Sequence, residues 1–157
     1  MDNSKTSTKP HIFAVASIGG HWIQLLRIAE GLKEHFNITY CSTNPKCAAM
    51  VVGEDYFLTS DFSRWDAYKV FPSFIKFIGR FIKKRPKAVI TTGAAPGLTA
   101  LLAAKILGIK TIWIDSIANA EHLSFSGRIA KRFASRTYTQ WEELSDRKTV
   151  YEGNVLK

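Results

Sequence analysis

The chain has 157 residues, a formal net charge of +9 and a pI near 9.7. That length points to one domain burying roughly two thirds of its unfolded surface, with no second domain expected, and the basic balance favours an acidic partner: nucleic acid, anionic lipid or a phosphate-bearing substrate. Two cysteines, Cys41 and Cys47, with no Cys or His pairs at zinc spacing, give no sign of a disulfide framework or a metal site and fit a reducing cytoplasm.

Residues 1–10 are polar and lack an apolar h-region, so they read as a disordered tail rather than a signal peptide or anchor, and 11–157 as the folded domain. No later stretch has about 18 uncharged apolar residues in a row, so any membrane contact is expected to be peripheral. The apolar run from His11 to Ala16 predicts a buried strand, and Trp22 to Glu34 a helix with Ile23, Leu26, Ile28, Ala29 and Leu32 inward. Between them lies Ser17-Ile18-Gly19-Gly20-His21, a strand-to-helix turn. Adjacent glycines allow positive φ and close ligand approach, free N–H groups at a helix start favour anionic oxygens, and a neutral imidazole can take a proton from a hydroxyl. These residues alone leave two readings open: a phosphate-binding turn with His21 as general base, or a tight turn followed by a capping or packing histidine.

Further along, Phe36 to Cys41 predicts a second strand, Asn44-Pro45 opens a short helix through Met50 and Val52, and Tyr56 to Thr59 predicts a third strand. Ser60 to Lys69, with Arg64, Trp65 and Asp66, has no clear period and reads as a loop. Phe71 to Lys84 is a helix whose apolar residues Phe74, Ile75, Phe77, Ile78, Phe81 and Ile82 fill an arc of about 160°, opposite Lys76, Arg80, Lys83 and Lys84. It is either a core helix with a solvated basic face or a helix at an anionic membrane surface, where Phe74, Phe77, Phe81 and the four cations would make the contact.

Ala88 to Thr92 is a strand, Gly93 to Gly97 a second small-residue turn, Leu98 to Leu107 a helix closed by Gly108, and Lys110 to Ile114 the next strand. An irregular run from Asp115 to Ser124 precedes a helix from Ser126 to Ala134. Thr137 to Thr139 is a short strand, and Trp141 to Arg147 and Thr149 to Tyr151 add a turn and a final strand. The alternation predicts an α/β, Rossmann-like, doubly wound parallel sheet with its ligand crevice at the strands' C-terminal ends, where the runs 17–21, 93–97 and 115–126 all open.

Two sets of residues carry a resemblance. Ile114-Asp115-Ser116-Ile117, Glu121, Leu123-Ser124-Phe125-Ser126-Gly127-Arg128, Tyr138, Gln140-Trp141 and Leu144 resemble the signature of the oligosaccharide biosynthesis family of asparagine-linked glycosylation protein 14. Ser17 to His21 with Gln24-Leu25-Leu26 is similar to its bacterial, PssD-type branch in capsule and exopolysaccharide synthesis. The resemblance implies a single domain forming the N-terminal, acceptor-side half of a GT-B glycosyltransferase. A separate small nucleotide-sugar-binding glycosyltransferase subunit would supply the other half and most of the UDP-sugar contacts. The acceptor would be a polyprenyl-diphosphate-linked saccharide and the reaction inverting, inactive without the partner and needing no metal or other cofactor. The place would be the cytoplasmic face of the plasma membrane.

Under that resemblance His21 is the catalytic base. Ser17, Gly19, Gly20, Gly93, Gly97, Asp115, Ser116 and Glu121 bind acceptor or phosphate, or hold the loop that does; Glu121 could equally pair with Arg128. Eukaryotic members carry an acidic residue shortly after the histidine, where Gln24 stands here, and a membrane-spanning N-terminus, and their usual glutamate is replaced by Asp115. Two further function classes compete: a non-catalytic scaffold activating a partner transferase, and a dinucleotide-binding oxidoreductase. The last is weak, because 17–21 is not Gly-x-Gly-x-x-Gly and the second strand ends at Cys41 without an acid. No nucleic-acid reader motif is present, so nucleic acid is not an expected partner.

Overall fold

Seven strands run parallel in a computed structural model that describes residues 9–62 and 66–156, the Ala67 side chain excepted. The expected tail over 1–8, and Arg64 and Trp65 of the expected loop, lie outside the described residues. The elements are β1 (His11–Val15), α1 (Gly20–Leu32), β2 (Asn37–Ser42), β3 (Asp55–Leu58), α2 (Ala67–Lys84), β4 (Ala88–Thr91), α3 (Ala94–Ile106), β5 (Lys110–Ile114), α4 (Phe125–Ala130), β6 (Arg136–Thr139) and β7 (Thr149–Tyr151). Short 3-10 turns at Pro45–Met50 and Glu142–Leu144 complete them, the first opened by Asn44, whose side chain accepts from the Lys46 N–H.

The strand order is β3-β2-β1-β4-β5-β6-β7. The chain builds outward from β1 to one edge, crosses over through α2, and builds outward from β4 to the other. That reversal splays the loops after β1 and β4 apart, which is where an open parallel sheet has its ligand crevice. The doubly wound α/β sheet expected from the sequence is the one observed.

Side-chain alternation along β1 explains the two cores. Phe13 and Val15 join Phe77, Phe81, Val89, Leu101 and Trp113 beneath α2, α3 and α4; Ile12, Ala14 and Ala16 join Trp22, Leu25, Ile38 and Tyr40 beneath α1. Cys41 and Cys47 are buried and unbonded, in different cores, and burial pushes the Cys41 thiol up, away from the reactive thiolate.

Three expectations need correcting. On α1 Ala29 is buried and Leu26 and Leu32 pack against the core as expected, but the other fully buried residues are Trp22, Gln24 and Leu25, and Ile23 is 43% exposed, because the helix starts at Gly20 and the sheet covers a face rotated from the one the sequence suggested. α2 begins one turn before Phe71, with Pro72 inside it. Its apolar arc is wider than the strip the sheet covers: Phe77 and Phe81 are 0% and 1% exposed and Phe74 packs against them, so these three are core residues and not a membrane face. The arc's far edge is left outside, with Tyr68, Phe71, Ile75 and Ile82 all more than half exposed. Of the cations, Arg80 lies 4.5 Å over the Phe57 ring and Lys84 pairs with Asp55 at 2.7 Å, which fastens that flank of α2 to β3. Among the described residues no helix is long and apolar enough to cross a membrane.

Candidate functional site

The crevice is organised by the turn after β1. Gly19 has φ +96° and caps α1, and its carbonyl accepts the Ile23 N–H at 3.1 Å. Such a φ suits glycine. Neither Gly19 nor Gly20 has a protein atom within 4 Å of the place a Cβ would take, so the space in front of both is open. Ser17 is buried at the foot of the turn, and the Ile18 N–H is held by the Thr43 hydroxyl at 3.2 Å.

His21 crosses from this turn to the end of β4, spanning the reversal in strand order. Its Nδ1 lies 2.8 Å from the Thr92 carbonyl, and the Thr92 hydroxyl donates back to the His21 carbonyl at 2.7 Å. A carbonyl only accepts, so Nδ1 carries the proton. The neutral ring therefore has its lone pair on Nε2, which has no protein partner among the described residues. That is the tautomer a general base needs.

Gly93 is placed differently from expectation. A Cβ there would stand 2.7 Å from His21 Cε1 and 2.8 Å from Nδ1, so the open side of Gly93 holds the imidazole and not a ligand. Gly97 is also corrected. It lies inside α3 and is buried, and a Cβ would meet the Thr91 hydroxyl at 2.1 Å, so this glycine lets α3 close on β4. The Gly93-to-Gly97 turn of the sequence reading is therefore a single capping glycine followed directly by a helix. Its first residue, Ala94, has φ +66°, an uncommon conformation with a Cβ and a mark of strain beside the His21 ring.

The segment after β5 forms the other wall. Asp115 is 2% exposed, and its carboxylate accepts from Trp113 Nε1 at 2.9 Å, Asn119 Nδ2 at 3.1 Å, the Ser124 N–H at 2.8 Å and the Ser124 hydroxyl at 2.6 Å. Four donors stand in for a counter-ion. They bend the run 116–124 back over β5 and fix Ser124, whose hydroxyl caps α4 by accepting the Gly127 N–H at 2.9 Å. The carboxylate thus has its partners inside the protein and holds the loop. The Ser116 hydroxyl accepts the Ala118 N–H within the same loop.

Glu121 is exposed, and among the described residues no ion pair joins it to Arg128. Both instead line an open recess of 490 Å³ with His122 and Phe125.

Two glutamines tie this wall to the rest of the molecule. Gln24, 4% exposed on α1, donates to the Asp115 carbonyl at 3.2 Å and accepts the Ile117 N–H at 3.2 Å. Gln140 donates to the same carbonyl at 2.9 Å and accepts the Val155 N–H at 3.0 Å, and Trp141 Nε1 donates to the Ile117 carbonyl at 2.8 Å. The helix that carries His21, the loop after β5 and the segment near Val155 are therefore joined by one set of hydrogen bonds. Thr92 was not among the sequence candidates: a threonine ending an apolar strand carries no motif, and only its place just before Gly93 could have drawn notice. Among the described residues no group of three or more His, Cys, Asp or Glu is arranged to hold a metal.

A family model described as oligosaccharide biosynthesis protein Alg14 like matches residues 63–155, more than half of the chain. The chain belongs to that family. The Alg14-like chain is also similar to a UDP-N-acetylglucosamine–N-acetylmuramyl-(pentapeptide) pyrophosphoryl-undecaprenol N-acetylglucosamine transferase of Caldicellulosiruptor saccharolyticus, with 28% identity over 93% of this chain and 44% of the relative. Among solved structures, Acinetobacter baumannii MurG superposes with a TM-score of 0.76 at 14% identity, over 90% of this chain and 45% of that one. UDP-N-acetylglucosamine 2-epimerase of Rickettsia bellii superposes at 0.72 and 15% identity, over 94% and 46%. The Alg14-like chain therefore has the fold of one half of a GT-B enzyme and spans less than half the length of each of these proteins.

Proposed function

We propose that this chain is the acceptor-side subunit of a split, inverting glycosyltransferase. The observation that carries the reading is the His21 tautomer, fixed by the Thr92 carbonyl at the reversal of the sheet, with Nε2 left as a base. In the reaction, Nε2 removes the proton from an acceptor hydroxyl, the oxygen forms a bond to the anomeric carbon of a UDP-sugar, and UDP leaves with the electron pair. The open N–H groups at Gly19 and Gly20 face phosphate oxygens, either of the acceptor's polyprenyl diphosphate or of the departing UDP, without an obligatory metal. Ser17, Ser116 and Glu121 border the acceptor, Glu121 on the exposed rim with His122 and Arg128. The uridine would be read by a small partner subunit that completes the cleft, in capsule or exopolysaccharide synthesis.

Contact with the cytoplasmic membrane surface would be peripheral and made by the outer flank of α2. There Tyr68, Phe71, Ile75 and Ile82 stand beside Lys76 and Lys83, which have no ion-pair partner among the described residues. The test is capture of the partner on the tagged chain, followed by assay of the pair with a panel of UDP-sugars and a polyprenyl-diphosphate acceptor. His21→Ala lowers turnover about 10²- to 10⁴-fold with the partner still bound. Unchanged turnover by the His21→Ala pair identifies the chain as a scaffold, and capture of no partner from solubilised membranes removes the two-subunit reading.

A further inference from the structure

The strongest concentration of unpaired charge lies at the opposite end of the sheet from His21. Lys105 at the end of α3, Lys131 and Arg132 just past α4, Arg136 at the start of β6, and Arg147 and Lys148 ahead of β7 line one recess of 430 Å³. Its floor includes Phe133, Ser135 and Val150. Strands of this length separate it from the crevice by about 15 Å.

Helix C-termini account for part of this: Lys105 and Lys131 sit where the dipoles of α3 and α4 favour a cation. Arg136 begins a strand and Arg147 and Lys148 occupy a turn, so no dipole explains them. One carboxylate adjoins the recess, and it is already engaged: Asp146 pairs with Lys131 and accepts the backbone N–H groups of Lys148 and Thr149. The side chains of Lys105, Arg132, Arg136, Arg147 and Lys148 have no hydrogen bond or ion pair among the described residues. Five cations that line one recess without a partner repel, and a bound anion relieves that repulsion. Three of the six cations are arginines, whose planar fork matches a phosphate in a way a lysine cannot.

We propose that this recess binds a compact group carrying two or more phosphate charges, at a site separate from the transferase crevice. The size of the recess suits a diphosphate or a phosphorylated headgroup rather than an extended chain. The proposal does not rest on the reading of His21, because no residue is shared between the two sites.

The test titrates the full chain with sodium pyrophosphate against sodium chloride of equal ionic strength, following amide resonances and thermal stability. Pyrophosphate is expected to shift the amides of 131–136 and 146–149 saturably, with a Kd below about 1 mM, and to raise Tm. Arg136→Gln/Arg147→Gln weakens binding at least about tenfold, Arg136→Lys/Arg147→Lys recovers part of it, and Lys76→Gln/Lys83→Gln on α2 leaves it unchanged. A second arm sediments the chain with phosphatidylglycerol or phosphatidylcholine vesicles. If pyrophosphate gives no saturable shift but phosphatidylglycerol binding falls in Arg136→Gln/Arg147→Gln, the phosphate is a lipid headgroup. If chloride reproduces the pyrophosphate effect and vesicle binding is the same in Arg136→Gln/Arg147→Gln as in the wild type, or if the shifts map to 17–21 and not to 131–136 and 146–149, the proposal is overturned. Circular dichroism of each unliganded variant separates loss of binding from loss of fold.

Discussion

His21 and Gly93 are a matched pair, ring against bare backbone. Gly93→Ala places a methyl group 2.7 Å from the ring at φ +135°, so the imidazole must leave its bond to the Thr92 carbonyl. We expect a loss of about 1–3 kcal/mol in stability from the backbone strain alone. Chemical denaturation measures that loss, and the ring nitrogen shifts of His21 report whether Nδ1 remains the protonated atom. An unchanged tautomer in Gly93→Ala contradicts the assigned role of Gly93. The sequence made His21 visible as a candidate because it follows two glycines at a strand end, but it left a base and a packing histidine equally open. It left Gly93 and Gly97 misread for a physical reason: a glycine that admits a ligand and one that admits a neighbouring side chain look identical in one dimension. Asp115 is the converse case. Its position was legible, but the four donors that satisfy it come from residues 113, 119 and 124, and no local pattern shows that a carboxylate's valences are already filled.

At the scale of elements, α2 shows how far periodicity reaches. A period of 3.6 locates an apolar arc, but the strip that is covered depends on where the sheet and α3 lie, so the helix was legible and its buried residues were not. Two variants separate the faces. Phe77→Ala, in the core, costs about 3–5 kcal/mol in urea denaturation. Phe71→Ser/Ile75→Ser, on the exposed flank, leaves stability within about 1 kcal/mol and reduces sedimentation with anionic vesicles. Vesicle binding that survives Phe71→Ser/Ile75→Ser refutes the membrane role of α2. The edge strand β7 has a separate dependence on pH. Lys131, and then the Lys148 and Thr149 amides, hold the Asp146 carboxyl down at about 2. Its folded value lies below an ordinary one of about 3.9, so its stabilising contribution is complete above about pH 4 and is lost as pH falls through 2. Exchange of the Lys148 and Thr149 amides should accelerate over that window. In Asp146→Asn the dependence should be absent.

For the molecule as a whole, the sheet order makes one crevice, and the bonds from Gln24 and Gln140 to the Asp115 carbonyl tie the segments that border it to one another. The parallel sheet was readable in the sequence, because apolar runs alternate with helical patterns along the chain and two of those runs, β1 and β4, lead through a small-residue turn straight into a helix. The basic recess was not, since its cations come from four separate segments that meet only when β5, β6 and β7 align. This division of charge and cleft yields a prediction about the nucleotide. If the uridine is read by a partner lobe, the chain alone has nothing with which to distinguish UDP from pyrophosphate, and both should bind it equally by calorimetry. Mixed with its partner, the chain should bind UDP at least about tenfold more tightly while pyrophosphate is unaffected, a gain of about 1.4 kcal/mol or more. A clear preference of the isolated chain for UDP would instead place the donor site here, and the division of labour between the two halves would have to be reversed.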